Sequence, residues 1–202
     1  MNKPSGYDEA RAMGDYIPPA VGGHYCTIKQ VSETKSKTGK DMIVVLWDFC
    51  SPDQQAGYFA NEFNNDTRPD KKWPFAGTKY IMVNDYQDPK KTSRQFKTFC
   101  SFFEKSNRCD VQWDVADWGK QFKGKRIGVI YGQEEAEYDG KTRMRNTPFY
   151  FCEFDKAKEA RLPDPKYLQR SAPVASPAPT GTPVGDTGFM TIPEGADDEI
   201  PF

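Results

Sequence analysis

Two runs of strand-forming residues, 24–33 (HYCTIKQVSE) and 41–50 (DMIVVLWDFC), flank the polar turn Lys37-Thr38-Gly39-Lys40. The pair predicts a long β-hairpin. Along the first run, Tyr25, Thr27, Lys29 and Val31 alternate with Cys26, Ile28 and Gln30, as two faces of a strand do. The second run is dense in β-branched and aromatic residues. Residues 57–63 (GYFANEF) read as a short third strand, and a polar stretch with Pro69, Pro74 and Pro89 follows.

Beyond that stretch Thr92 is placed to cap a helix, TSRQFKTFCSFFEKSN. Phe96, Phe99, Cys100 and Phe103 are spaced i, i+3, i+4 and i+7, one apolar stripe, and Asn107 is a plausible stop. Residues 125–133 (KRIGVIYGQ) form a fourth strand. Tyr138-Asp139-Gly140-Lys141 carries an Asp-Gly turn signal, and residues 147–154 (TPFYFCEF) form a fifth strand. The order is β-β-β-α-β-β. Five strands with a helix between the third and fourth is the order of the OB-fold, a small Greek-key barrel that commonly binds single strands.

Residues 21–165 hold nearly all of the periodic apolar pattern, after a Gly/Pro-bearing leader of residues 1–20. Residues 166–196 form a linker, rich in Pro, Ala, Ser, Thr and Gly from Ser171 onward. Such a composition does not bury enough apolar surface to offset its ordering entropy. Charge divides at the same place. Five of the 29 acidic residues, Asp186, Glu194, Asp197, Asp198 and Glu199, lie beyond Arg170, the last of 28 basic residues. Residues 1–170 therefore carry a net charge of +4, 28 basic against 24 acidic, ahead of an acidic tail.

The chain ends Asp197-Asp198-Glu199-Ile200-Pro201-Phe202. This DDEIPF tip resembles the acidic tip of bacterial single-stranded DNA-binding proteins, with Glu199 where that family usually has a third Asp. The body, through GGHYCTIKQVSETKSKTGKDMIVVLWDF, RQFKTFCSFFEKSN and GKRIGVIYGQEEAEYDGKTR, resembles the small OB-fold-like single-stranded DNA-binding proteins of phages and mobile elements. The resemblance implies a protein that coats single-stranded DNA. It also implies that the tip recruits host or phage replication, recombination or repair proteins.

The residue types suit that chemistry, which needs cations along the phosphates and flat rings under the bases. Lys35, Lys37 and Lys40 flank the first hairpin turn, with Tyr25, Trp47 and Phe49 on its strands. Lys141, Arg143 and Arg145 follow the last turn, with Tyr131, Tyr138 and Tyr150 near it. Tyr58 on the third strand joins the set. So do Lys71, Lys72 and Trp73 in the polar stretch, and Lys123, Lys125 and Arg126 where the fourth strand begins. In the tip, the acids steer toward basic pockets while Ile200, Pro201 and Phe202 supply apolar area, restricted conformation and a ring beside the terminal carboxylate.

Other classes find little support. Residues 119–126 (GKQFKGKR) nearly match a phosphate loop, but Arg126 stands where the Mg²⁺-holding hydroxyl belongs and the segment leads into a strand. Glu134, Glu135 and Glu137 cluster without a partnering Asp/His set. His24 is the single histidine, and the five cysteines make no C-x-x-C pair. The expectation is no catalytic set, cofactor or metal. No apolar run approaches the ~18 residues of a membrane span, and residues 1–14 lack a signal-peptide core, so a cytoplasmic location is expected. The alternative to DNA coating is an adaptor with the same fold that binds protein partners and little or no DNA.

Overall fold

The computed structural model describes residues 1–5, 7 and 17–168, so residues 169–202, with most of the expected linker and the whole tip, lie outside the described residues. The architecture is mainly β. Five strands, β1 (Gly22–Lys35), β2 (Asp41–Phe49), β3 (Thr78–Met82), β4 (Arg126–Tyr138) and β5 (Lys141–Cys152), form one open antiparallel sheet in the order β3-β2-β1-β4-β5. Two helices accompany it, α1 (Tyr58–Asn65) and α2 (Arg94–Asn107), with short 3-10 turns at Phe75–Gly77, Trp118–Phe122 and Phe154–Glu159. No described helix is long and apolar enough to cross a membrane.

The first hairpin forms as its sequence predicts, with one change of phase. The register slips between Ile28 and Gln30, a β-bulge around Lys29. The extra residue moves Val31 onto the face that already holds Cys26 and Ile28, and all three are buried. Without the bulge, Val31 would point to solvent.

The third strand is a correction. Residues 57–63 do not extend; Gly57, at φ 78°, leads into α1 instead. Asp48 Oδ1 accepts from the Phe59 amide at 2.9 Å, which satisfies a donor at the helix start, and Phe59 is fully buried. Strand β3 comes from Thr78–Met82 (TKYIM), inside the stretch expected to be loop.

Helix α2 buries the expected Phe96, Phe99, Cys100 and Phe103. Its cap is Ser93, one residue past the expected Thr92, with Oγ accepting from the Phe96 amide at 3.1 Å. The Asn107 side chain joins the helix end to β4. Its Nδ2 donates to Phe103 O and Arg126 O, both at 2.8 Å, and its Oδ1 accepts from the Arg126 amide at 2.9 Å. The Asp139-Gly140 turn forms with both residues at positive φ, and the hairpin is longer than expected at both strands.

The core lies between α2 and the inward face of the sheet, around Trp47, Phe99, Phe103, Phe122 and Tyr131. The 3-10 turn at Trp118 closes onto β1, and a Cβ at Gly119 would sit 2.1 Å from Val31 O. The outer strands β3 and β5 share no ladder. Lys79 of β3 spans them instead, its Nζ donating to Pro148 O at 3.1 Å and Phe149 O at 2.7 Å. Phe149 is the residue skipped in the β4–β5 register, so its carbonyl is open to a side chain.

Candidate nucleic-acid interface

Strand register decides which expected contact residues reach a ligand. β1 pairs with β4 through Gly22–Thr27 and with β2 through to Lys35. The first hairpin and the β4–β5 hairpin therefore leave β1 in opposite directions, with the outward face of β2 and β3 between them. That face carries Tyr80 opposite Val44, which is itself opposite Ser32. Met42, Leu46 and Met82 flank that row and are half-buried, while Tyr80 is 54% exposed.

Past Tyr131 the β4–β5 hairpin projects as an arm. Its cross-strand pairs are Glu134 with Arg145, Ala136 with Arg143, and Tyr138 with Lys141. Directly opposed residues share a face, so Tyr138, Lys141, Arg143 and Arg145 project together. By alternation from the inward Tyr131 this is also the outward face, the one Tyr80 occupies. Glu135, Glu137, Thr142 and Met144 take the reverse side. The acidic triplet is thus split by the pleat, with Glu134 alone on the basic face, bound to Arg145 Nη2 at 3.1 Å.

Three of the expected stacking rings are core. Trp47 and Tyr131 are completely buried and Phe49 nearly so. They belong to the inward set with Ile43 and Val45, and Phe49 stacks on His24 with ring centroids 4.2 Å apart. Tyr58 is half-buried and donates its hydroxyl to Ile17 O at 2.8 Å. Trp73 is half-buried, donates Nε1 to Trp47 O at 3.1 Å and packs on Phe63. Lys71 lies over that same Phe63 ring, 4.6 Å from its centroid, and Lys72 is exposed.

The cations fall into separate groups. Lys35, paired with Asp41 at 2.7 Å, and Lys37 and Lys40 sit at the first hairpin, with Lys40 4.0 Å from the centre of the exposed Tyr86 ring. Lys123, Lys125 and Arg126 are exposed where β4 begins, with Arg126 over Phe154. The arm cations lie opposite Glu134, Ala136 and Tyr138, roughly 26–40 Å along that strand from Arg126 at ~3.3 Å per residue, so this cluster and the arm cations are not brought together. Tyr25 packs on Phe154, and Tyr150 donates to Arg161 O at 2.7 Å.

Two exposed rings were not anticipated as contacts beside Tyr80: Phe75, 5.8 Å from the Arg145 guanidinium and 62% exposed, and Tyr86. Both come from the polar stretch. The signal for them was present in Trp73-Pro74-Phe75 and Asp85-Tyr86, rings set among polar residues and prolines where little core is available.

The segment before β1 and the segment after the last 3-10 turn each reach the base of the arm. On the leader, the carbonyls of Ile17, Pro18, Pro19 and Ala20 each accept from a side chain: Tyr58, Gln55, Asn146 and His24. Asn146 belongs to β5, beside Arg145. On the other edge, Lys166 N donates to Gln133 O at 2.9 Å and Glu135 N donates to Lys166 O at 2.7 Å. Residues 166–168, expected to open the linker, are therefore joined to β4.

No protein-family model matches the chain, and no curated protein matches it.

Proposed function

We propose that this protein binds single-stranded DNA largely without sequence preference, through the outward face of β2 and β3 and the basic face of the β4–β5 arm. The observation that carries the reading is the one-sided arm. Tyr138, Lys141, Arg143 and Arg145 share the face that holds Tyr80, so rings and cations stand on one surface, the combination a non-specific single-strand site uses. The strand order supports an OB-fold-like barrel as its scaffold. β3-β2-β1-β4-β5 is the order of such a barrel opened between its third and fifth strands, and Lys79 bridges that seam. The tip at residues 197–202 is proposed to dock replication, recombination or repair proteins.

The test is the salt dependence of oligo-dT binding, followed by anisotropy of a labelled strand. Affinity is expected to fall with salt, each neutralised phosphate adding about −0.7 to the log–log slope. Absence of binding at low salt would sink the reading and leave the adaptor. Deleting residues 197–202 is expected to leave oligo-dT affinity intact or raise it, because an acidic segment competes for cationic surface; loss of binding on deletion would count against a docking role.

A further inference from the structure

Four charged groups from four segments meet at the base of the arm. Lys79 comes from β3, Glu134 from β4, Arg145 from β5 and Lys166 from the segment after the last 3-10 turn. Lys79 is tied by its two carbonyl acceptors on β5. Lys166 lies over the ring of Phe149, 4.6 Å from its centroid, so the two lysines hold the same residue from its carbonyl and from its ring. Burial, with Lys166 adding to it, brings the Lys79 pKa down to about 8, against the opposing pull of Glu134. Glu134 is in turn held by Arg145. Three cations thus face one carboxylate.

The placement of Lys166 is fixed by its backbone. Besides the two ladder bonds to Gln133 and Glu135, Leu168 N donates to Glu135 Oε2 at 3.0 Å. Pro163 packs over Gly132, where a Cβ would lie 2.6 Å from the proline ring. Residues 163–168 are therefore a strap along the arm, and they deliver a lysine to it.

We propose that this cluster is a phosphate-binding site in which Lys166 and Arg145 hold a backbone phosphate of the single strand, Glu134 being displaced from Arg145 as the phosphate takes its place. The proposal rests on the single-strand reading above. A guanidinium offers a planar fork that suits phosphate oxygens as well as a carboxylate, so the exchange keeps its hydrogen bonds. Phe75 beside Arg145 offers an exposed ring to the base attached to that phosphate. Lys79, occupied by its two carbonyls, supplies charge from behind and keeps β3 and β5 together. Glu134 then acts as a built-in competitor that holds Arg145 in place while the site is empty.

The experiment is a salt titration of oligo-dT binding on the full chain. Variants are Lys166→Gln, Lys166→Arg, Glu134→Gln and the remote Lys105→Gln, whose partner is Glu153. Lys166→Gln is expected to weaken binding several-fold at low salt and to lower the slope magnitude by about 0.7, the loss of one phosphate contact. Lys166→Arg restores the slope, which a merely structural role of the stem would not require. Glu134→Gln is expected to tighten binding with the slope unchanged, and Lys105→Gln changes neither. A wild-type slope in Lys166→Gln, or no gain in Glu134→Gln, would overturn the site while leaving the arm reading intact. A wild-type chain that does not bind at all overturns both.

Discussion

Trp47 Nε1 donates to the Tyr131 hydroxyl at 3.1 Å in the centre of the core, and that hydroxyl donates onward to the Ala76 carbonyl. One phenol oxygen thus joins β2, β4 and the turn ahead of β3. Tyr131→Phe removes the acceptor of the indole and the donor to Ala76 together. The expected cost is about 1–3 kcal/mol, the penalty for leaving a buried polar group unsatisfied. Oligo-dT affinity per folded molecule is expected to stay the same. Urea unfolding reads the first effect through its midpoint, and anisotropy reads the second. A folded Tyr131→Phe chain with weakened DNA binding would put this ring back in the interface.

That pair also shows where reading the residues alone stops. The run DMIVVLWDF is apolar on nearly every residue, so its two faces look alike and nothing in it says which rings point inward. Only the pairing of Ile28 with Trp47 and of Ile43 with Ile81 settles it. The hairpin turns and the α2 stripe were legible because their signals are local: Asp139-Gly140 for a tight turn, Phe96 to Phe103 for a buried helical face. Strand β3 was not, because five residues between Gly77 and Val83 are too short to show a period. GYFANEF took its place, although Phe59 and Phe63, four apart, also fit a helix. The arm cations were legible as residues but not as a surface. Their sharing of a face with Tyr80 depends on register across all five strands.

Lys79→Met tests the seam between β3 and β5. In the folded chain burial lowers the Lys79 pKa from 10.5 to about 8. Between those values the unfolded chain binds the proton and the folded chain does not, so this residue adds stability as pH rises from about 8 toward 10.5. The neutral amine still has hydrogens for Pro148 O and Phe149 O, so the clasp survives deprotonation. The difference in unfolding free energy between wild type and Lys79→Met is expected to grow in favour of wild type over that window. A difference that is flat with pH would show that Lys79 keeps its ordinary pKa and that the seam is open to water.

Asp53 gives a pH dependence of the same sign, in the acid range. Its buried carboxylate accepts from Tyr25 N, Gln55 N, Lys158 Nζ and the His24 ring. Burial alone would raise its pKa, but the Gln55 amide, His24 and Lys158 outweigh burial and hold it below 3.8. The folded value is depressed, so the contribution is fully present above the unfolded value and is lost as pH falls below 3.8 through the folded one. Asp53→Ala strips the buried His24 ring and the Tyr25 amide of their acceptor and is expected to cost about 1–3 kcal/mol at neutral pH, the penalty for buried polar groups left unpaired. Because His24 also holds Ala20 O, the leader is expected to loosen with it. Amide exchange at residues 17–25, together with urea midpoints at neutral and acid pH, measures both. Equal acid sensitivity of wild type and variant would count against the assignment.

The outward ring on β3 supplies the most direct test of the interface. Tyr80→Ala removes a half-exposed side chain that makes no buried hydrogen bond, so stability is expected to change by no more than about 0.5 kcal/mol. If Tyr80 stacks a base, the same variant weakens oligo-dT binding by ~1–3 kcal/mol, and Tyr80→Phe keeps most of the affinity because the ring is what matters. Trp113 is the control. It is as exposed as Tyr80, 53% against 54%, but stands on the connector between α2 and β4, stacked on Trp118 with centroids 5.8 Å apart. Its near neighbours in sequence, Asp110, Asp114 and Asp117, repel phosphate, so Trp113→Ala is expected to leave DNA affinity unchanged. Anisotropy titrations of the three variants at one low salt concentration decide between the two surfaces. Weakening by Trp113→Ala with none by Tyr80→Ala would move the strand off β2 and β3 and onto the connector.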